Sequence, residues 1–274
     1  MFPGQGTQSA GMGAPLWDRF PEVAAAAEAA LGLDVRALCC DDTDGRLHRT
    51  EFTQPALYVV NHLHHRACLQ HGPPPAFLLG HSLGEFNALQ AAGVFDFETG
   101  LRIVRRRGEL MAAISGTGMA AIIGADRAEV ERILADLPPE LDIANVNAPT
   151  QVVIAGPLAT LDLAGDRFGE EGYGFVPLKV GAAFHSRHMR AQTDAFRDFL
   201  AAFPFAPPVV PVVANVSARP YGSDPDTIRD TIVRQMESPV RWMDSVAFVR
   251  SQGVHRFVEA GSGNVLTNLL GKIP

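Results

Sequence analysis

Ser82 stands in "FLLGHSLGEF" (77–86), flanked by Gly80 and Gly84 in a G-x-S-x-G spacing, after an apolar run and before a helix-like one. Small residues at that spacing allow a sharp strand-to-helix turn that lifts a hydroxyl out of the fold as a nucleophile, with the following N–H aimed at its target. They suit a tight βα turn without chemistry equally well. A serine nucleophile needs a base, and of the nine histidines His185 has the most suggestive position. It follows the apolar stretch "GFVPLKV" and the small loop "GAA", just before an amphipathic segment that opens near Ser186. The positive end of a helix there would favour the neutral imidazole that a general base requires, although a satisfied structural histidine fits the same position. No aspartate presents itself as a third member.

Arg107 carries a different signal. A helix is expected from Asp96, a suitable N-cap, to about Ile114. On it Arg102, Arg105, Arg106 and Glu109 share one face, whereas Arg107 falls into the apolar stripe with Ile103, Val104, Gly108, Met111 and Ile114. A buried guanidinium costs several kcal/mol unless paired, so Arg107 calls for a carboxylate or a ligand. The three outward arginines form either a solvated face or a docking patch.

Other clusters are weaker. His62, His64, His65, Cys68 and His71 crowd one helical stretch, and His64 and Cys68 are four apart, but no third ligand joins them and no metal site is expected. The same holds for His185 and His188. The turns "GQGTQSAG" and "GSGNVL" resemble parts of a dinucleotide fingerprint, yet Ser9 and Leu266 occupy the third glycine position.

These residues need a scaffold, and 274 residues with 47% hydrophobic and 19% charged side chains suffice for one large globular body with an insertion. Helices are expected over about 14–31, 54–70, 82–93, 96–114, 187–203, 224–236, 240–252 and from 264, with strands in "AFLLG", "VVPVVANV" and "RFVEA". This alternation implies a mostly parallel sheet. Between about 118 and 180 the order becomes βαββαβ, a split-βαβ or ferredoxin-like pattern inserted into the larger α/β body. A net charge of −7 argues against nucleic-acid or anionic-membrane binding. Cys39, Cys40 and Cys68 form no CxxC pair and read as reduced thiols of a cytoplasmic protein. No basic leader with an apolar core and no run of 18 apolar residues occurs, so neither secretion nor membrane spanning is expected.

Taken together, the blocks "FPGQG" (2–6), "FTQPAL" (52–57), "GHSLGEF" (80–86), "RRGELM" (106–111), "NVNAPTQVVIAG" (145–156), "AFHSRHM" (183–189), "RQMESPVRW" (234–242) and "EAGSGNVLTNL" (259–269) resemble the malonyl-CoA:acyl-carrier-protein transacylase family almost end to end. The chain looks most like the discrete acyltransferases that serve modular polyketide synthases, with fatty-acid-synthesis transacylases as close neighbours. The resemblance implies an α/β-hydrolase-like large subdomain (1–116 and 184–274) and a ferredoxin-like small one (117–183). It makes Ser82 the acylated nucleophile, His185 its base and Gln235 the residue whose backbone carbonyl orients the histidine. It assigns the backbone N–H groups of Gln5 and Leu83 to an oxyanion hole, Arg107 to the malonyl carboxylate, and Met111 and Phe184 to the acyl pocket. It further implies malonyl-CoA and an acyl carrier protein as partners and no cofactor. Family members normally carry a few more strand residues before "FPGQG", and Ser262 and Asn268 stand where proline and glycine are common. Two rival readings share the elbow: a hydrolase that clears acyl chains from carrier proteins, and a non-catalytic carrier-protein docking module.

Overall fold

The computed structural model describes all 274 residues. The chain opens with α1 (Ala14–Trp17), α2 (Pro21–Leu31), α3 (Val35–Cys40) and the long α4 (Thr50–Leu69). The single helix expected over 14–31 is broken at 18–20, where Pro21 starts a new one; proline is well suited to a first helical turn and poorly to a helix interior. Helix α4 begins four residues before the expected start and runs through Pro55, so that "FTQPAL" lies inside it.

Strand β1 (Leu78–Leu79) leads through the elbow into α5 (Gly84–Ala91), and α6 (Phe97–Ala112) follows. Helix α6 starts where the Asp96 carboxylate accepts the Thr99 N–H at 2.7 Å, an N-cap of the expected kind. Strand β1 pairs in parallel with β6 (Val212–Val213), and Phe2 bridges to Gly80 on the far side. The parallel ladder is far shorter than "AFLLG" and "VVPVVANV" suggest. Residues 256–260 form no ladder at all, although the Ala260 N–H donates to the Met1 carbonyl at 2.8 Å beside the Phe2 bridge.

A separate antiparallel sheet contains β2 (Thr117–Ile123), β3 (Asp142–Ala148), β4 (Gln151–Pro157) and β5 (Gly174–Pro177) in the order β3-β4-β2-β5. Helices α7 (Arg127–Ala135) and α8 (Leu158–Glu170) connect them. The near-continuous apolar runs of β2 and β4 have a physical reason. Ala120, Ile122, Val152 and Ile154 pack against Val130, Ile133, Leu161 and Phe168 of the two helices. The alternate residues Met119, Ala121, Val153 and Ala155 join the main core instead. A sheet buried on both faces needs apolar residues at every position, not every second one.

The chain continues through a short 3₁₀ turn (Arg187–Met189), α9 (Arg190–Leu200), β6, α10 (Pro225–Gln235), α11 (Trp242–Ser251) and α12 (Val265–Leu270). The molecule is thus mixed α/β, with a parallel pair and a distinct antiparallel sheet. Strand β3 is fastened to the large body by a two-way exchange, Val146 N–H to Val240 O at 3.0 Å and Val240 N–H to Ala144 O at 2.9 Å. No helix is long and apolar enough to cross a membrane.

Candidate active site

The elbow is built by close backbone approach. A Cβ on Gly80 would lie 1.9 Å from the Gly84 carbonyl carbon, and one on Gly84 would lie 2.0 Å from the Phe2 carbonyl oxygen. Only hydrogen fits at either place, which lets β1 turn directly into α5. The turn forces Ser82 to φ 51°, a left-handed conformation that costs a non-glycine residue about 1–3 kcal/mol. Asn215, just beyond β6, holds it there. Its Oδ1 accepts the Ser82 N–H at 2.8 Å, and its Nδ2 donates to the Gly80 carbonyl at 2.6 Å.

His185 is brought to the serine by the loop between β5 and α9. Its Nε2 lies 2.6 Å from Ser82 Oγ, and its Nδ1 lies 2.8 Å from the Gln235 backbone carbonyl at the end of α10. The Nδ1 contact requires the hydrogen on Nδ1, so Nε2 is left to accept the serine hydroxyl. His185 also has a left-handed backbone, φ 58°, and its own N–H is anchored on the Met236 carbonyl at 3.0 Å. Its pKa is pushed down to about 3, first by burial and then by the positive charge of Arg107, while the Gln235 contact opposes the shift. Burial and a neighbouring cation keep this imidazole neutral, where the sequence suggested a helix terminus.

Arg107 enters from the third turn of α6 and is only 1% exposed. No carboxylate touches it. Nη1 donates to Gln54 Oε1 at 2.8 Å, and Nη2 donates to Gln235 Oε1 at 2.9 Å and to Ser82 Oγ at 3.3 Å. Nε has no partner, and the guanidinium lies 5.3 Å from the centre of the Phe86 ring. Burial lowers its pKa to about 9, with Glu85 opposing. Of the two expected partners, a carboxylate or a ligand, the chain supplies no carboxylate; neutral oxygens of Gln54, Gln235 and Ser82 cradle the charge.

The remaining positions named from sequence surround this centre. The "FPGQG" loop lies against the elbow: a Cβ on Gly4 would fall 2.5 Å from the His81 carbonyl oxygen. Neither the Gln5 nor the Leu83 backbone N–H donates to any acceptor in the chain. Met111, one helical turn after Arg107, accepts the Gln54 Nε2 hydrogen on Sδ at 3.3 Å, and Phe184 is buried next to His185 in sequence. His188 faces away and meets the Glu140 carbonyl at 2.8 Å. No group of three or more His, Cys, Asp or Glu side chains is placed to hold a metal ion. The two glycine-rich turns meet each other, since a Cβ on Gly261 would fall 2.3 Å from Pro3 Cγ. Close packing accounts for Gly4 and Gly261, whereas Gly6, Gly11 and Gly263 have open space and a positive φ.

Several contributors escaped the sequence reading: Gln54, Glu85 and Asn215, all 1% exposed, and Tyr221, also buried. Glu85 lies under the elbow and accepts from Tyr221 Oη at 2.5 Å, from the Asn215 N–H at 3.1 Å and from Gln235 Nε2 at 2.7 Å. Burial raises its pKa to about 7 against those hydrogen bonds and Arg107. Its place three residues after Ser82, on the first turn of α5, was the available signal. A groove of about 770 Å³ has His185 and Ser186 in its lining, but not Ser82 or Arg107. Its charged rim is paired, Arg187 with Asp142 and Arg190 with Glu237, so it carries no strong net charge.

An imidazole and a buried guanidinium thus converge on one serine hydroxyl, and a family comparison decides the affiliation. The acyl transferase domain model matches residues 1–272. The chain belongs to the acyl transferase family. This acyltransferase is 51% identical, over its whole length, to the polyketide biosynthesis protein ThaF of Burkholderia thailandensis, but spans only 24% of that protein. It is 44% identical to the Bacillus subtilis polyketide biosynthesis malonyl CoA-acyl carrier protein transacylase PksC, with 100% of this chain and 96% of PksC covered. Among solved structures, the crystal structure of malonyl CoA-acyl carrier protein transacylase from Burkholderia pseudomallei superposes with a TM-score of 0.95 at 46% identity, covering 100% of this chain and 96% of that one.

Proposed function

We propose that this acyltransferase moves a malonyl group from malonyl-CoA to the phosphopantetheine thiol of an acyl carrier protein through a malonyl ester on Ser82. The observation that carries the proposal is Arg107, a buried guanidinium without a carboxylate partner, 3.3 Å from Ser82 Oγ. A carboxylated acyl group supplies the missing anion.

Ser82 Oγ attacks the thioester carbonyl while His185 Nε2 takes its proton. The developing oxyanion is received by the free N–H groups of Gln5 and Leu83, each such donor being worth about 10²–10³ in rate. The C–S bond breaks, and the coenzyme A sulfur leaves with the proton held by His185. The carrier-protein thiol then reverses the sequence: His185 takes the thiol proton, the new C–S bond forms and Ser82 regains its hydrogen. No metal or cofactor is required for these steps. Arg107 holds the acyl carboxylate through charge-assisted hydrogen bonds and fixes the thioester over the serine. Met111 and Phe184 bound the acyl pocket, where Phe184 leaves little room for a methyl branch. The near-neutral groove beside His185 suits the amide-rich pantetheine arm.

The same reading treats 1–116 with 184–274 as an α/β-hydrolase-like catalytic subdomain and 117–183 as a ferredoxin-like one. The elbow geometry supports the former. The strand order β3-β4-β2-β5, with both helices on one face, supports the latter. The names of the relatives support a trans-acting role in polyketide biosynthesis, with fatty-acid synthesis as the alternative, and free thiols at Cys39, Cys40 and Cys68 are in keeping with the cytoplasm. A carrier-protein hydrolase would use the same serine, but it gains nothing from a buried arginine. Single-turnover transfer from malonyl-Ser82 to a holo carrier protein, compared with release to water, tests the assignment. Transfer should dominate; release to water that is unaffected by added carrier protein would contradict it.

A further inference from the structure

The two ends of a glutamine amide have almost the same size, so partners alone decide which end faces where. At Gln235 the choice matters, because Oε1 accepts from Arg107 Nη2 while Nε2 donates to Glu85 Oε2 at 2.7 Å and to the Ser82 carbonyl at 2.8 Å. Turned over, the amide would set its NH₂ against the guanidinium, donor to donor. We infer that Glu85 is a positioning residue: its buried carboxylate fixes the Gln235 amide so that an oxygen faces Arg107, and thereby holds the guanidinium ready for the carboxylate of the acyl group. The inference rests on the malonyl-transfer reading and deepens it, since it names a selectivity determinant that never touches substrate.

Only a carboxylate meets the demands of this place. Three donors converge on Glu85: the Asn215 N–H and the Tyr221 hydroxyl on Oε1, and Gln235 Nε2 on Oε2. Once ionised, above its pKa of about 7, the carboxyl accepts at both ends, whereas an amide accepts at one, so the comparison is made at about pH 8. In Glu85→Gln the new oxygen can serve Asn215, which is backbone and cannot turn. The new NH₂ then opposes Gln235 Nε2 and drives that amide over. In the alternative orientation the Asn215 N–H loses its acceptor. Gln54, the other oxygen facing Arg107, has only the weak acceptor Met111 Sδ behind its NH₂ and offers little compensation.

The consequence is selective. Arg107 bears on an acyl group only if that group carries a carboxylate, whereas Ser82, His185 and the Gln235 backbone carbonyl serve any thioester. A general weakening of the fold would slow both kinds of substrate together.

Single-turnover loading of Ser82 from malonyl-CoA and from acetyl-CoA, followed by intact-protein mass spectrometry, separates the two. In Glu85→Gln the malonyl-to-acetyl rate ratio should fall about tenfold or more, the loss expected for one hydrogen bond to a charged group, with acetyl loading slowed less, through the Ser82 carbonyl that the turned amide gives up. An unchanged ratio, or equal loss of both rates, overturns the inference. Should Glu85→Gln lack a cooperative melt, Glu85→Asp decides: it keeps the charge but withdraws it by one methylene, and a lowered ratio supports positioning whereas a wild-type ratio refutes it. The wild-type control keeps the two levels apart, because failure of wild-type protein to load malonyl would strike at the proposed function and not at Glu85.

Discussion

At the scale of single residues, Arg107 does two things. In the proposed mechanism its charge recruits a carboxylate, and the same charge adds to burial in depressing the basicity of His185. An acyl carboxylate that neutralises Arg107 should therefore make His185 a better base as the substrate binds, favouring diacid thioesters at the chemical step as well as in binding. Replacing Arg107 by Met should raise the His185 pKa above about 3 while burial, the larger cause, still holds it below the ordinary histidine range, measurable by NMR of its ring protons. The same variant should lose malonyl loading by roughly ten- to a hundredfold, as expected for one charge-assisted contact, while keeping acetyl loading. Undiminished malonyl preference would remove Arg107 from its proposed role.

At the scale of elements, the elbow is a strained turn held by its neighbours. Ser82 is left-handed, the Gly80–Gly84 contact admits no side chain, and Asn215 spans from β6 to both the Ser82 N–H and the Gly80 carbonyl. Asn215→Ala should destabilise the fold by about 1–3 kcal/mol by orphaning these groups, and should slow acylation of Ser82 as the turn relaxes. Denaturant melts and single-turnover loading check the two effects; unchanged acylation would mean that the glycine contact alone holds the turn. What could be read from sequence follows from periodicity. Helix α6 and its N-cap, the buried phase of Arg107 and the order of the βαββαβ segment were all legible. The lengths of the parallel strands were not, because pairing at β1 depends on what lies beside it, and apolar runs such as "VVPVVANV" report burial more than hydrogen bonding. Gln54, Glu85 and Asn215 stayed hidden for a related reason: a buried polar side chain is explained by partners distant in sequence, here 53 residues between Gln54 and Arg107 and 130 between Glu85 and Asn215.

At the scale of the whole molecule, charge is mostly balanced locally. Arg102 pairs with Glu98, and Arg105 and Arg106 both pair with Glu109, so the outer face of α6 is a poor attractor for an acidic partner. Reversing Arg102 and Arg106 to Glu should leave the KM for a carrier protein within about threefold, since exposed pairs of this kind contribute little. A large rise in KM would reinstate that face as a docking surface. The buried groups give stability a definite pH dependence. His185 is held well below its unfolded value near 6.5, so its unfolded form binds a proton that the folded form refuses, and stability is lost as pH falls below about 6.5. Glu85 acts with the opposite sign: its raised pKa gives stability that is lost as pH rises from about 4.5 to about 7. Between about 4.5 and 6.5 Glu85 offsets only part of the loss, because burial also lowers the pKa values of His62, His64, His65 and His81, which act with the sign of His185. Chemical denaturation across this range should therefore show stability falling as pH drops below about 6.5, with Glu85 offsetting part of the loss down to about 4.5; stability that is flat or rising from about pH 6.5 to about 4.5 would contradict these signs.

The most direct test of the account is a competition. Wild-type protein is mixed with equal malonyl-, methylmalonyl- and acetyl-CoA, and the adduct is identified on the intact chain and mapped by peptide mass. The account predicts a malonyl ester on Ser82, little methylmalonyl or acetyl, and no adduct in Ser82→Ala. A dominant acetyl or methylmalonyl ester, or a malonyl adduct on any other residue, would contradict it.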